Sequence, residues 1–177
     1  MPSGKTHDQF TWIFTPFIAI ITWLIYPDLH YSLMVSSSFL FAGLMFSGDL
    51  DLKSVQYKRW GYLRWIWLPY QKWVRHRSAF SHGPVLGTIT RLLYLSIWVL
   101  VIFGVWLQVN LYLEHYVLRQ QSYELLLGLI SWSHQHPLTL FAILIGLWLG
   151  ALSHTLADEI GSAWKRLRRK KRRKRNH

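Results

Sequence analysis

PLTLFAILIGLWLGALSHTL, residues 137–156, runs on through ADEIGSAWKRLRRKKRRKR to residue 175. The first part can cross a lipid hydrocarbon layer, which takes roughly 20 residues of helix at about 1.5 Å each. Pro137 suits the first turn of such a helix. A soluble helix of this length would show a polar stripe, and this one largely lacks it. The second part holds ten of the chain's 20 Lys and Arg residues between Lys165 and Arg175. Charge placed beside an apolar run rather than along its face predicts an all-α integral membrane protein.

The rest of the chain repeats that segregation. Hydrophobic residues make up 51% of the 177, 11 of them are Trp, and the net charge is +12. Those features rarely share one soluble domain. Three further apolar runs, Phe10–Tyr26, Tyr31–Phe46 and Val85–Leu107, bring the expected transmembrane helices to four. A Pro27-Asp28 turn makes the first two an antiparallel hairpin. Residues 1–10 lack the charged start, apolar stretch and cleavage site of a secretory signal, so the first run is expected to stay as a span. There is no Cys, which excludes disulfides, thiolate nucleophiles and thiolate metal sites. Residues 1–164 form the expected transmembrane domain and 165–177 a polybasic tail. No internal repeat is visible.

Between the second and third spans, the loop 47–83 carries Trp60, Tyr62, Trp65, Trp67, Tyr70 and Trp73 interleaved with Lys58, Arg59, Arg64, Lys72 and Arg75. This mixture suits an interfacial segment lying flat on the membrane, rings at the acyl boundary and cations on phosphates. The same interleaving can bind nucleic acid, but beside two spans lipid is the favoured partner. Residues 110–136 are too short and interrupted to span, and are expected to cap the opposite face. Four spans put the N-terminus, the loop and the C-terminus on one side, with 18 of the 20 basic residues. The positive-inside rule makes that side cytoplasmic. The tail is expected to rest, disordered or as a frayed helix, on anionic headgroups, worth about 1 kcal/mol per basic residue.

That topology sorts the ionisable residues. His7 and Asp8 precede span one, Asp49 and Asp51 follow span two, His82 precedes span three, and His154 and Asp158 close span four. All lie at one face, and ionisable groups near the apolar layer are costly unless paired, metal-bound or wet. His154 and Asp158, four apart, share a helix face and present nitrogen and oxygen to one point. Asp49 and Asp51 follow Gly48, so a bent backbone could aim both inward or leave one to orient a ligand. The stretch RHRSAFSHGP, 75–84, sets cations, hydroxyls and imidazoles before a helix start, which suits a phosphate or carboxylate.

Each group has a plainer reading. His154 and Asp158 could be a buried pair locking two helices, Asp49 and Asp51 turn formers, His7 and Asp8 a helix cap, and His82 an interfacial residue. Arg91, inside span three, should face the interior, pair with Asp49 or Asp158, or snorkel. His30, His115, His134, His136 and His177 lie on the other face or in the tail and carry no assigned chemistry.

The runs HRSAFSHGP (76–84), LGALSHTLADEIGS (149–162) and SGDLDLKS (47–54), with the early His7-Asp8 pair, resemble a bacterial family of small metal-binding membrane proteins. That family is related to the YdjM-like, LexA-regulated inner-membrane metal-dependent hydrolases. The resemblance covers the four-span layout and implies metal binding and hydrolysis. By motif position it points to His82, His154 and Asp158 as ligands, with His76 and Arg77 close by.

The sequence therefore predicts a divalent metal held at the cytoplasmic face by His7, Asp49, His82, His154 and Asp158. Nitrogen and oxygen donors suit Zn, Mn or Fe, and Mg if carboxylates dominate. As an enzyme the protein would act on an ester or phosphoester, with Asp49 or Asp51 accepting a proton and Arg77 or Arg91 holding the anion. The alternative is a non-enzymatic scaffold that binds anionic lipid or a partner through its basic loop and tail. A transporter fits less well, because the polar groups sit at one face and not at the midplane.

Overall fold

The structure, a computed structural model, describes residues 4–76, 78–83 and 85–175. Among them there is no strand, and four helices are long and apolar enough to cross a membrane. In chain order the α-helices are α1 (Gly4–Ile25), α2 (Leu29–Met45), α3 (Val55–Arg59), α4 (Trp67–Trp73), α5 (Ala79–His82), α6 (Leu86–Tyr112), α7 (Tyr116–Gln135) and α8 (Pro137–Arg175), and the four long apolar ones are α1, α2, α6 and α8. Two 3₁₀ turns, Gly48–Asp51 and Gly61–Ile66, link the short helices.

The α1–α2 hairpin forms as its turn chemistry requires. Pro27 cannot continue a helix, and the Asp28 side chain caps α2 by accepting from the His30 amide at 2.8 Å. α2 lies between α1 and α8 and packs most closely on α8. That approach rests on a small-residue pair that the sequence reading did not single out, Gly146 and Gly150. A Cβ on Gly146 would meet the Val35 carbonyl, and one on Gly150 would lie 2.7 Å from Ala42 Cβ. Small residues four apart let helix backbones come together where an apolar surround offers no hydrophobic drive.

The loop 47–83 has an inner face as well as an exposed one. It folds over one end of the bundle, and Trp67 and Tyr70 are buried with Ala42, Phe46, Leu50, Tyr57 and Leu147. Tyr62 and Trp73, on the other side of the same segment, are 99% and 79% exposed. Short helical pieces give the segment an inner and an outer face, so the rings divide between core and surface. Burial pushes the Tyr70 phenol above its ordinary range.

α6 joins this core through its first turns, where Leu92, Tyr94 and Leu95 pack against the cluster. Its later part is exposed, with Ile97, Val99, Leu100 and Val105 all more than half accessible. At 27 residues α6 is about 40 Å long, so its end lies far from the capped end. Residues 110–136 are largely regular: α6 runs on to Tyr112, and α7 is a 20-residue helix that begins and ends at the far end. Its C-terminal neighbour α8 starts there too, since Thr139 Oγ1 sits 3.3 Å from His30 Nε2 at the start of α2. The basic tail extends α8 without a break to Arg175.

Candidate metal centre

Four parts of the chain meet at the capped end. His7 projects from the beginning of α1 and is buried, so it is no simple helix cap. Asp49 and Asp51 come from the 3₁₀ turn after α2, His82 ends α5, and His154 and Asp158 lie on one face of α8. Gly48 permits the turn to pass under the His82 ring, because a Cβ there would lie 3.1 Å from His82 Cδ2.

The distances divide into two kinds. His7 Nε2 is 3.3 Å from Asp158 Oδ1, and His154 Nε2 is 3.4 Å from Asp49 Oδ2 and 3.7 Å from Asp158 Oδ2. His82 Nε2 is 3.5 Å from Asp49 Oδ1. By contrast, His76 Nδ1 is 2.9 and 3.0 Å from the two oxygens of Asp51, ordinary hydrogen-bond lengths. Asp51, whose side chain is fully buried, also lies 3.6 Å from His82 Nδ1, while Ser81 Oγ is 2.8 Å from the same nitrogen. Ser81 thus holds the back of the His82 ring by a hydrogen bond, with the Asp51 carboxylate beside it, and the Nε2 points toward Asp49. Metal-ligating imidazoles are commonly oriented this way through their other nitrogen.

The chain itself supplies the test of fit. His82 Nε2 and His154 Nε2 are buried without a hydrogen-bond partner. Leaving both unmet would cost about 2–6 kcal/mol, a large part of a protein's net stability of about 5–15 kcal/mol. Two donors about 2.0–2.2 Å from one tetrahedral ion are about 3.3–3.6 Å apart. The imidazole and carboxylate atoms facing each other here are separated by close to that edge length, too far for good hydrogen bonds. The donors fit a cation such as Zn.

A cavity of about 220 Å³ opens beside the centre, lined by His7, Asp8, Asp49, Ser54, Gln56 and His154. Gln56 has no distinguishing signal in the sequence, where it is one of two Gln residues among aromatic and basic ones. It is buried, accepts from Ser47 Oγ, donates to the Gly43 carbonyl at 3.1 Å, and lies 3.4 Å from His154 Nδ1. It sits behind the His154 ring as Ser81 sits behind that of His82. Asp8 turns away from the metal donors to pair with Arg59, whose Nη1 donates to Oδ1 at 2.9 Å. That bond raises the Arg59 guanidinium above its ordinary range.

Arg91 faces the interior as expected but does not pair with Asp49 or Asp158. It donates to the Ser81 carbonyl at 2.7 Å and to Thr88 Oγ1 at 3.3 Å, and its guanidinium lies 5.5 Å from the centre of the Phe46 ring. It anchors the residue preceding His82. Arg77 falls outside the described residues.

The chain matches the family described as "Uncharacterized metal-binding protein (DUF2227)" over residues 2–168, and belongs to it. It is also 36% identical, over 66 residues, to a protein of Aquifex aeolicus (strain VF5) described as "Uncharacterized protein". That match takes in 37% of this chain and spans about half (46%) of the relative's length. No solved structure matches.

Proposed function

We propose that the protein is a membrane-embedded, metal-dependent hydrolase acting on an ester or phosphoester at the cytoplasmic face of the bacterial inner membrane. The observation that carries this reading is the pair of buried imidazole nitrogens, of His82 and His154, that make no hydrogen bond and face carboxylates, with His154 and Asp49 lining a cavity. His7, Asp49, His82, His154 and Asp158 would hold the ion, with Zn, Mn and Fe suited to the donor set. When bound, the ion supplies Lewis-acid polarisation. The resemblance of His76–Pro84 and of His154 with Asp158 to the YdjM-like hydrolases supports the same class.

The chain's own residues divide the remaining work. Asp51 and Gln56 fix two imidazole rings. The Asp51–His76 pair is the route for a proton, since His76 is the more exposed partner and Asp51 would hold the charge it gains. Arg91 is a positioning residue, and the anion falls to Arg77. An apolar groove of about 250 Å³ between α1 and α8 is lined by Phe10, Phe14, Ile18, Leu149, Leu152 and Leu156.

The test is hydrolysis of p-nitrophenyl phosphate, and of a phospholipid in mixed micelles, by untagged protein loaded with Zn or Mn. Metal-dependent release that is lost in Asp51→Asn, with the metal still bound, supports the reading. Loaded protein inert toward phosphate and carboxylate esters overturns the hydrolase and leaves the scaffold that binds anionic lipid.

A further inference from the structure

Five metal donors at one end of a bundle are more than one four-coordinate ion takes. They do not gather into a single set. His7, His154 and Asp158 form one triad and Asp49, His82 and Asp158 another, with one donor atom from each residue within 4.8 Å of the others in its triad. We infer that the centre is built for two divalent cations, bridged by the carboxylates of Asp158 and Asp49. The inference rests on the metal-binding reading and goes beyond it in number and arrangement.

Both carboxylates divide their oxygens between different imidazoles. Asp158 sends Oδ1 to His7 and Oδ2 to His154, and Asp49 sends Oδ2 to His154 and Oδ1 to His82. A carboxylate serving one ion would turn both oxygens, or one, toward a common point. Asp49 is the carboxylate split across the triads, one oxygen toward His154 and the other toward His82, as a bridge between two ions requires. Asp158 turns both oxygens to the His7–His154 triad and joins the second through a donor oxygen within 4.8 Å of those of Asp49 and His82. His154 and His82, on α8 and α5, each keep a buried Nε2 without a hydrogen bond, one in each triad. A single six-coordinate ion would draw all five residues into one mutually close group.

Charge balance favours two ions as well. With neutral imidazoles, one divalent cation is cancelled by Asp49 and Asp158, leaving little attraction for an anionic substrate. Two cations leave the pair of carboxylates with a net positive centre, which suits a phosphate group. Asp51, His76 and His82 form a third cluster, but its Asp51–His76 contacts are of hydrogen-bond length, so it orients His82 and holds no further ion.

The test is Mn(II) loading of the untagged, detergent-solubilised chain, read by elemental analysis and low-temperature electron paramagnetic resonance. The wild type should take up about two Mn per chain with an exchange-coupled spectrum. His7→Ala and His82→Ala should each keep about one Mn with the hyperfine pattern of an isolated ion. One Mn per wild-type chain with an isolated-ion spectrum overturns the pairing and leaves single-ion binding standing. No uptake by the wild type overturns both. The wild-type stoichiometry decides even if a variant fails to fold.

Discussion

At the end of the bundle where Phe46, Leu50, Trp67 and Tyr70 close over α2, side chains are buried against one another. At the other end, where α6 continues past Ile97 and α7 follows, apolar side chains stand exposed. The first end gets its order from contacts within the chain. The second, in the membrane reading, gets it from acyl chains. The site is therefore built where the protein supplies its own solid surroundings, as fixed donor geometry demands.

The largest effect should come from removing donors at the ordered end. His154→Ala with Asp158→Ala should weaken metal binding by more than about 100-fold, since both triads lose a ligand, beyond the roughly 10–100-fold typical of an orienting residue. Isothermal titration after chelation measures it. Gly150→Leu should come next, destabilising the fold by about 1–3 kcal/mol or more as α2 and α8 are forced apart, read by thermal unfolding in detergent. Asp51→Asn should leave the fold in place and weaken metal affinity about 10–100-fold, through the freed His82 and His76 rings. Unchanged affinity there would remove the orienting role.

Smaller effects sharpen the contrast. Arg59→Ala breaks a partly exposed ion pair and should cost about 1 kcal/mol or less in thermal unfolding. Leu100→Ala, on the exposed part of α6, should change stability in detergent by about 0.5 kcal/mol or less and leave metal content untouched. A loss as large as that of Gly150→Leu would mean that the far end is packed against protein, in a second copy or a partner.

The sequence made the long helices legible because their signal is local: an apolar run needs only its own residues to declare itself. It also brought His7, Asp49, His82, His154 and Asp158 to one face, because alternating spans fix the side on which each end lies. Three things stayed hidden. Trp67 and Tyr70 look like headgroup residues because a segment of 3₁₀ turns and short helices has no steady period to mark its inner face. Gln56 owes its role to a ring far away in the chain, and the spacing of Asp49 and Asp51 left open which of the two would orient a ligand. Gly146 and Gly150 matter through the backbone that approaches them, which composition does not record.

The most direct test of the whole account is elemental analysis of untagged protein purified in detergent, beside the His154→Ala, Asp158→Ala double variant with unchanged helicity. The account predicts about two equivalents of Zn, Mn or Fe in the wild type and almost none in the variant. A wild type that retains no metal and gains no thermal stability when Zn or Mn is added would contradict it.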